Sequence, residues 1–396
     1  MPRPAVLLAT IALVVCTPNA AQRNPATVDT LLDTAVEQKR VPMVVAMVAD
    51  AHGIVYEHAS GAGKDVIFAI ASMTKPVTSV AVMQLVEAGR VKLEEPAATY
   101  VPELANVRVL DGGTLRPQKT PITVRHLLTH TSGFGYEFLN RDLFELVSRK
   151  ELTSVMAGGE AFLKAPLLFD AGTRWEYGIS TDWAGRLVER VSGQSLDAYF
   201  RQKIFDPLGM TETYFNVPAT KQSRMLPVFQ RTADGGFANV PSPPVTAVQY
   251  YSGGGGLYST ASDYLKFARA VLAGGQLQGR RILSASSIAT MGTNQIGALT
   301  VRNLPSVIPQ LATDGSVLPG ALDKFGLGFA LNSKPIDKGR GANTMSWAGI
   351  YNTFFWIDRE KQVCAVLLTQ ALPFLDAGSM KLLEDFDRAV YAWRAP

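Results

Sequence analysis

The chain has 396 residues, 47% hydrophobic and 18% charged, a balance that supports a large core and excludes an intrinsically disordered protein. Its formal net charge is +4 without any Lys/Arg cluster, so composition gives no case for nucleic acid as a partner. The length allows two domains, or one with an insertion.

Arg3, the apolar run Ala5 to Val15 and the small residues Asn19-Ala20-Ala21 have the three-part form of a secretory signal cleaved near Ala21. The run is too short to span a bilayer. A secreted or periplasmic protein is therefore expected, with no stable membrane insertion once residues 1–21 are removed. A lipoprotein is disfavoured because bulky Val15 precedes Cys16, where a small residue is wanted. Loss of Cys16 leaves only Cys364, in the apolar run Val363 to Leu368. No internal disulfide is then possible, and that cysteine reads as a buried filler.

Residues 28–40 have helical spacing up to Val41-Pro42. Residues 43–49 and 54–58 read as two strands of a hairpin around Asp50-Ala51-His52-Gly53. Next comes Ser72-Met73-Thr74-Lys75, the only Ser-x-x-Lys in the chain. Pro76 suits a first helical turn, and residues 77–88 are apolar nearly all round, as in a buried helix; Gly89 ends it. On a helix, Ser72 and Lys75 share a face. A lysine with lowered pKa one turn away can take or relay the serine proton, and the Ser72 N–H at the helix start can bind an oxyanion. Serine at a helix start is also an ordinary N-cap, so this tetrapeptide needs support from elsewhere.

Residues 90–122 are Pro-rich and irregular. Thr123 caps a short helix through Leu128, and residues 142–165 read as helical with a break at Gly158-Gly159. Helices follow at 181–191, ended by Ser192-Gly193, and at 196–205. Residues 216–256, with five prolines and glycines at 253–256, read as a long coil around a site or between domains. Ser262-Asp263 is expected to cap a helix to Ala273. Residues 293–322 are another coil. Strands are expected at 325–331, 344–347, 353–357 and 362–369, and a closing helix at 378–393. Strands at both ends and helices between them imply a sheet built from both termini, with an all-helical insertion. The expected division is 22–90 with 255–396 as an α/β domain, and 91–254 as the insertion.

Two later stretches bear on Ser72. In Trp175-Glu176-Tyr177-Gly178-Ile179-Ser180-Thr181-Asp182, a tyrosine between a turn and a helix start can project into a cleft. Beside a lysine ammonium its phenol would ionise more easily, making Tyr177 a candidate general base. In Ser346-Trp347-Ala348-Gly349-Ile350-Tyr351-Asn352, between two strands, Gly349 lets a substrate approach the strand edge, and the Ile350 N–H becomes a second oxyanion donor.

Ser-x-x-Lys, a later Tyr and a small-x-Gly strand, in this order, resemble the serine β-lactamase and penicillin-binding-protein superfamily. The resemblance extends to Phe68-Ala69-Ile70-Ala71 before the Ser, Ile122-Thr123-Val124-Arg125-His126-Leu127-Leu128-Thr129-His130-Thr131-Ser132-Gly133, Pro207-Leu208-Gly209-Met210, and Gly254-Gly255-Gly256-Leu257-Tyr258-Ser259-Thr260-Ala261-Ser262-Asp263. These look like the class C branch, across roughly residues 28 to 393. The resemblance implies a β-lactamase-like α+β fold, an antiparallel sheet flanked by helices.

Two departures steer the function. Ile179 stands where class C lactamases carry the Asn of Tyr-x-Asn, and Trp347 where their third motif carries a lysine. Both features are similar instead to the family VIII carboxylesterases, whose tyrosine segment runs on to Thr-Asp and a Gly, like Thr181, Asp182 and Gly185. The resemblance implies Ser72 as acylated nucleophile, Lys75 as its proton partner and Tyr177 as general base. It also implies Ser72 and Ile350 N–H groups as the oxyanion hole, with Trp347 and Gly349 lining the pocket. Phe134, Tyr136, Tyr250, Tyr251 and Phe354 are expected near the cleft, Tyr136 and Tyr251 as substrate contacts. The expected reaction is hydrolysis of short or medium acyl esters, with a small-molecule ester as partner. Rivals are a weak β-lactamase, a D-amino-acid peptidase or an acyltransferase of the same fold, or a binder whose acyl-enzyme never turns over.

No Gly-x-Ser-x-Gly is present, His126 and His130 lack the Glu of a zinc protease, and the glycines at 253–256 lack Gly-Lys-Ser/Thr. Neither metal nor cofactor is expected.

Overall fold

Two apolar segments near the start of the chain and five near its end pair into one antiparallel sheet. A computed structural model describes residues 26–241, 247–316 and 322–394. The expected signal segment, 1–21, lies outside the described residues. The strands are Val44–Asp50 (β1), Ile54–Ser60 (β2), Leu322–Phe325 (β3), Ala330–Asn332 (β4), Met345–Gly349 (β5), Thr353–Asp358 (β6) and Val363–Leu368 (β7). Their order is β3-β4-β5-β6-β7-β1-β2. The two ends of the chain meet where β7 pairs with β1, Val45 opposite Leu368 and Ala49 opposite Cys364.

Both faces of this sheet are covered, which explains why β1, β6 and β7 read as continuous apolar runs rather than alternating ones. Ala261–Leu272 (α5) packs on one face, against β1, β6 and β7. Ala26–Glu37 (α1) and Ala377–Arg394 (α6) cover the other. Successive residues of β6 show the split. Phe355 meets Tyr264 of α5 at 5.1 Å between ring centres, and Trp356 meets Phe386 of α6 at 5.7 Å. Cys364 is buried in β7, as a filler should be.

Between β2 and β3 lies the helical part. Thr74–Glu87 (α2) is buried along nearly its whole length and ends at Gly89, whose φ is +67°. Val124–Thr129 (α3) starts in a capping box: Thr123 Oγ1 accepts the His126 N–H, and His126 Nδ1 accepts the Thr123 N–H. Ser180–Ser192 (α4) ends at Gly193 in the left-handed region, φ +75°. It packs beside α2 and α3. Among the described residues, no helix is long and apolar enough to cross a membrane.

Several expectations shift. The segment 325–331 is not one strand: Gly326 to Gly328 separate β3 from β4, which pair as a hairpin. Helix spans only Arg141–Ser148 in the stretch expected to be helical from 142 to 165; short 3-10 turns follow at Val155–Ala157 and Ala161–Lys164. Thr260, not Ser262-Asp263, caps α5, its Oγ1 accepting the Asp263 N–H at 3.2 Å. A helix at Ala285–Met291 went unread, being too short for periodicity to register. The segment 91–254 is not all helical: hairpins at 108–117 and 229–239 lie within it. Turn chemistry and local capping decided these details, and both act below the window over which hydrophobic period is read.

Candidate active site

Ser72 sits on a 3-10 turn, Ala71–Met73, that leads into α2. It is not a helix cap: the N-cap of α2 is Met73, and no side chain caps the helix. The turn is held from three sides. The Tyr264 hydroxyl of α5 donates to the Met73 carbonyl at 2.8 Å, Thr74 Oγ1 accepts the Leu257 N–H at 3.1 Å, and β5 runs alongside. Ala71 has φ +42°, a left-handed conformation unfavourable for a residue with a Cβ. The backbone is thus bent directly before the serine.

Lys75 is buried on the same helix. Its Nζ donates to Ser72 Oγ at 3.1 Å, to the Tyr136 hydroxyl at 3.0 Å and to the Gly254 carbonyl at 2.6 Å. It lies 4.7 Å from the centre of the Tyr177 ring. The Tyr177 hydroxyl accepts the Trp347 indole N–H at 3.2 Å, and the neighbouring Ser72 hydroxyl favours its ionised form. Ser72, Lys75 and Tyr177, 105 positions from first to last in the sequence numbering (177 minus 72), are therefore brought together around the Lys75 amine.

The sequence leaves open which of Lys75 and Tyr177 takes the first proton, and burial shifts the two in opposite directions. Burial lowers Lys75 to about 7, with Asp182 pulling it back up. Burial raises the Tyr177 phenol above the ordinary tyrosine range, against the hydrogen bonds from Ser72 and Trp347. So the amine loses its proton near neutrality while the phenol keeps its own. Proximity to the lysine does not ease ionisation of Tyr177, because the phenolate would be buried and that cost is the largest influence on it.

An aromatic wall surrounds the cluster. The Tyr177 ring meets Trp347 at 4.8 Å, Tyr136 at 5.2 Å and His130 at 4.9 Å. His130 is buried, and burial plus the charge of Lys75 hold its pKa well below the usual value, so the imidazole is neutral. Its carbonyl accepts the Glu176 N–H at 2.9 Å, fixing the segment that carries Tyr177. That the His130 ring lies against Tyr177 follows only from the folded chain.

Gly349 has a task within the protein itself. A Cβ there would collide with the Ile70 carbonyl and Thr353 Oγ1. The glycine admits the nucleophile's own turn against β5. The last β5–β6 pair is Gly349 opposite Thr353, so the Ile350 N–H lies just beyond the ladder, as an oxyanion donor requires. Tyr136 touches Lys75 directly. Tyr251 packs on Phe215 at 5.2 Å rather than on the Tyr136–Tyr177 pair. Phe134 and Phe354 are fully buried in the core, Phe134 stacked on Trp183, so neither lines a cleft. Their apolar character signalled burial equally well, and sequence could not separate the two. Among the described residues, no group of three or more His, Cys, Asp or Glu is placed to hold a metal ion.

The Beta-lactamase family model matches residues 28–387. An acyltransferase, calJ of Penicillium decumbens, is 33% identical over 359 residues, covering 84% of this chain and 82% of that protein. A lovastatin esterase of Penicillium rubens is 29% identical over 414 residues, covering 92% of this chain and 99% of that protein. The solved structure of simvastatin synthase from Aspergillus terreus, as its LovD6 mutant, superposes with a TM-score of 0.81 at 28% identity, covering 96% of this chain and all of that one.

Proposed function

The chain belongs to the Beta-lactamase family, and within it we propose a serine esterase that acts on short or medium acyl esters through an acyl-enzyme on Ser72. The observation that carries this reading is the 3.1 Å contact of Ser72 Oγ with the Nζ of a lysine whose burial brings its pKa down to about 7. In the proposed sequence Lys75 takes the Ser72 proton as Oγ forms its bond to the ester carbonyl carbon. The N–H groups of Ser72 and Ile350 stabilise the oxyanion. Collapse breaks the bond to the leaving alkoxide, which takes a proton from the Tyr177 phenol; the proton held on Lys75 then restores Tyr177 through the shared cluster. Water repeats the steps in reverse order to free the acid.

Trp347 supports an ester over a β-lactam. It puts an indole on the Tyr177 hydroxyl, at the position where the class C pattern carries a cation for the lactam carboxylate. The neutral aromatic wall suits an apolar acyl group. A second reading, acyl transfer to an alcohol other than water, has support from the similarity to calJ and to simvastatin synthase. The two share every step up to the acyl-enzyme.

One assay tests both. The purified protein and Ser72→Ala receive p-nitrophenyl esters of rising chain length and a chromogenic cephalosporin, with and without an added alcohol. Ester turnover is expected to exceed cephalosporin turnover and to fall at least about 10³-fold in Ser72→Ala. Faster cephalosporin than ester hydrolysis would overturn the esterase reading. A new ester formed with the alcohol, in preference to free acid, would favour the transferase.

A further inference from the structure

The glycine run at 253–256 has no phosphate-binding pattern, yet it lies against the site. Lys75 Nζ makes its shortest hydrogen bond, 2.6 Å, to the Gly254 carbonyl. On the other side of the same residue the Gly254 N–H donates to Asp182 Oδ1 at 3.1 Å. That oxygen also accepts from Ser252 Oγ at 2.6 Å and from the Tyr250 hydroxyl at 3.2 Å. Thr78 of α2 adds a bond of 2.7 Å to the Gly253 carbonyl. A Cβ on Gly254 would overlap the Asp182 carboxylate, and one on Gly253 would crowd the Thr181 carbonyl and Gly185. Glycine is needed at both positions for the loop to pass between α2 and α4.

Asp182 is unusual in its own right. The carboxylate is buried, has no ion-pair partner among the described residues, and its Oδ2 has no hydrogen-bond partner. A buried charge left this way is costly unless another charge offsets it. Lys75 is that charge, buried likewise, with residue 254 between them. We propose that Asp182 is a positioning residue for Lys75: through Gly254 it fixes the amine against Ser72, and it supplies the negative charge that balances the ammonium formed when Ser72 is deprotonated. Charge and geometry thus arrive by one route. The same anion stabilises the ammonium product of the first proton transfer and sets the pH at which the free amine appears.

Other titratable groups face this pair. Tyr136, Tyr177 and His130 surround Lys75, and Tyr250, with Arg186 over its ring at 4.9 Å, flanks Asp182. Glu137 lies next to Tyr136, its carboxylate accepting from Ser154 Oγ and the Val155 N–H. The three phenols keep their protons because burial raises them, and His130 stays neutral. Removal of the Asp182 charge therefore lowers Lys75, and it relaxes the three phenols only in part, since burial remains the larger cause of their upward shift.

The inference rests on the proposed role of Lys75, and the experiment separates the two. Asp182→Asn keeps an acceptor at Oδ1 for the loop but removes the charge. Its kcat/KM against pH should show the acid limb moved to lower pH by about half a unit or more, with the plateau reduced. Ser252→Ala removes one loop contact and keeps the charge; its acid limb should stay or rise. An acid limb unmoved in Asp182→Asn, or lowered in Ser252→Ala, overturns the proposal. The Ser252→Ala arm still decides if Asp182→Asn does not fold. Lys75→Ala tests the underlying assignment: full turnover in that variant would remove Lys75 from the mechanism, whereas lost turnover with an unmoved limb in Asp182→Asn rejects the Asp182 inference alone.

Discussion

Lys75 can act as a base at neutral pH because no carboxylate touches it and water does not reach it. Its partners are a hydroxyl, a phenol and a carbonyl, which fix its position without a full opposing charge. The expected consequence is an acid limb in kcat/KM with a midpoint near about 7. Below it Lys75 is an ammonium and cannot accept the Ser72 proton, so activity is lost as pH falls; above it the amine is free. The phenol, raised by burial, should produce no alkaline limb through about pH 9. A pH–rate profile with an ester of non-ionising acyl and leaving groups checks both. Ser72 and Lys75 were legible because Ser-x-x-Lys is a local spacing that any helical turn converts into contact. The Lys75 contacts with Tyr136 and Gly254 were not legible, at separations of 61 and 179 positions.

At the scale of elements, the nucleophile's turn owes its geometry to neighbours on every side. α5 holds the Met73 carbonyl, Leu257 holds Thr74, and β5 presses Gly349 against Ile70. Gly349→Ala should therefore force β5 away from the turn. The expected result is a loss of about 1–3 kcal/mol of stability, from overpacking, and a fall in kcat/KM on esters beyond what the lost folded fraction explains. Thermal melts beside steady-state kinetics distinguish the two effects. Sequence marked residue 349 as a glycine of consequence but did not show that the Ile70 carbonyl packs against it. A glycine between strands signals a close approach without saying whether substrate or protein makes it.

For the whole molecule, the joint between sheet and C-terminal helix is the place where one buried charge pair counts. Arg340 is buried, lies 4.6 Å over the Trp356 ring, and its Nε donates to Asp387 Oδ1 of α6 at 2.9 Å. Asp387→Ala would strand a buried guanidinium, at a cost of about 3–5 kcal/mol. Denaturant or thermal unfolding should show that loss. The rate per folded molecule should hold, since α6 covers the sheet face opposite α5, and α5 is the helix that touches the nucleophile's turn.

Hydrophobic period and local spacing carried the sheet from both termini, the buried helix behind the serine, and the Ser72–Lys75 pair, because these depend on neighbours within a few positions; Tyr177 was tied to that pair only by the family resemblance. They could not say that Gly254 separates Lys75 from Asp182, that His130 lies on Tyr177, or that the amine gives up its proton more readily than the phenol. Those outcomes depend on which groups are shut away from water together, and solvent exclusion is a property of the packed chain.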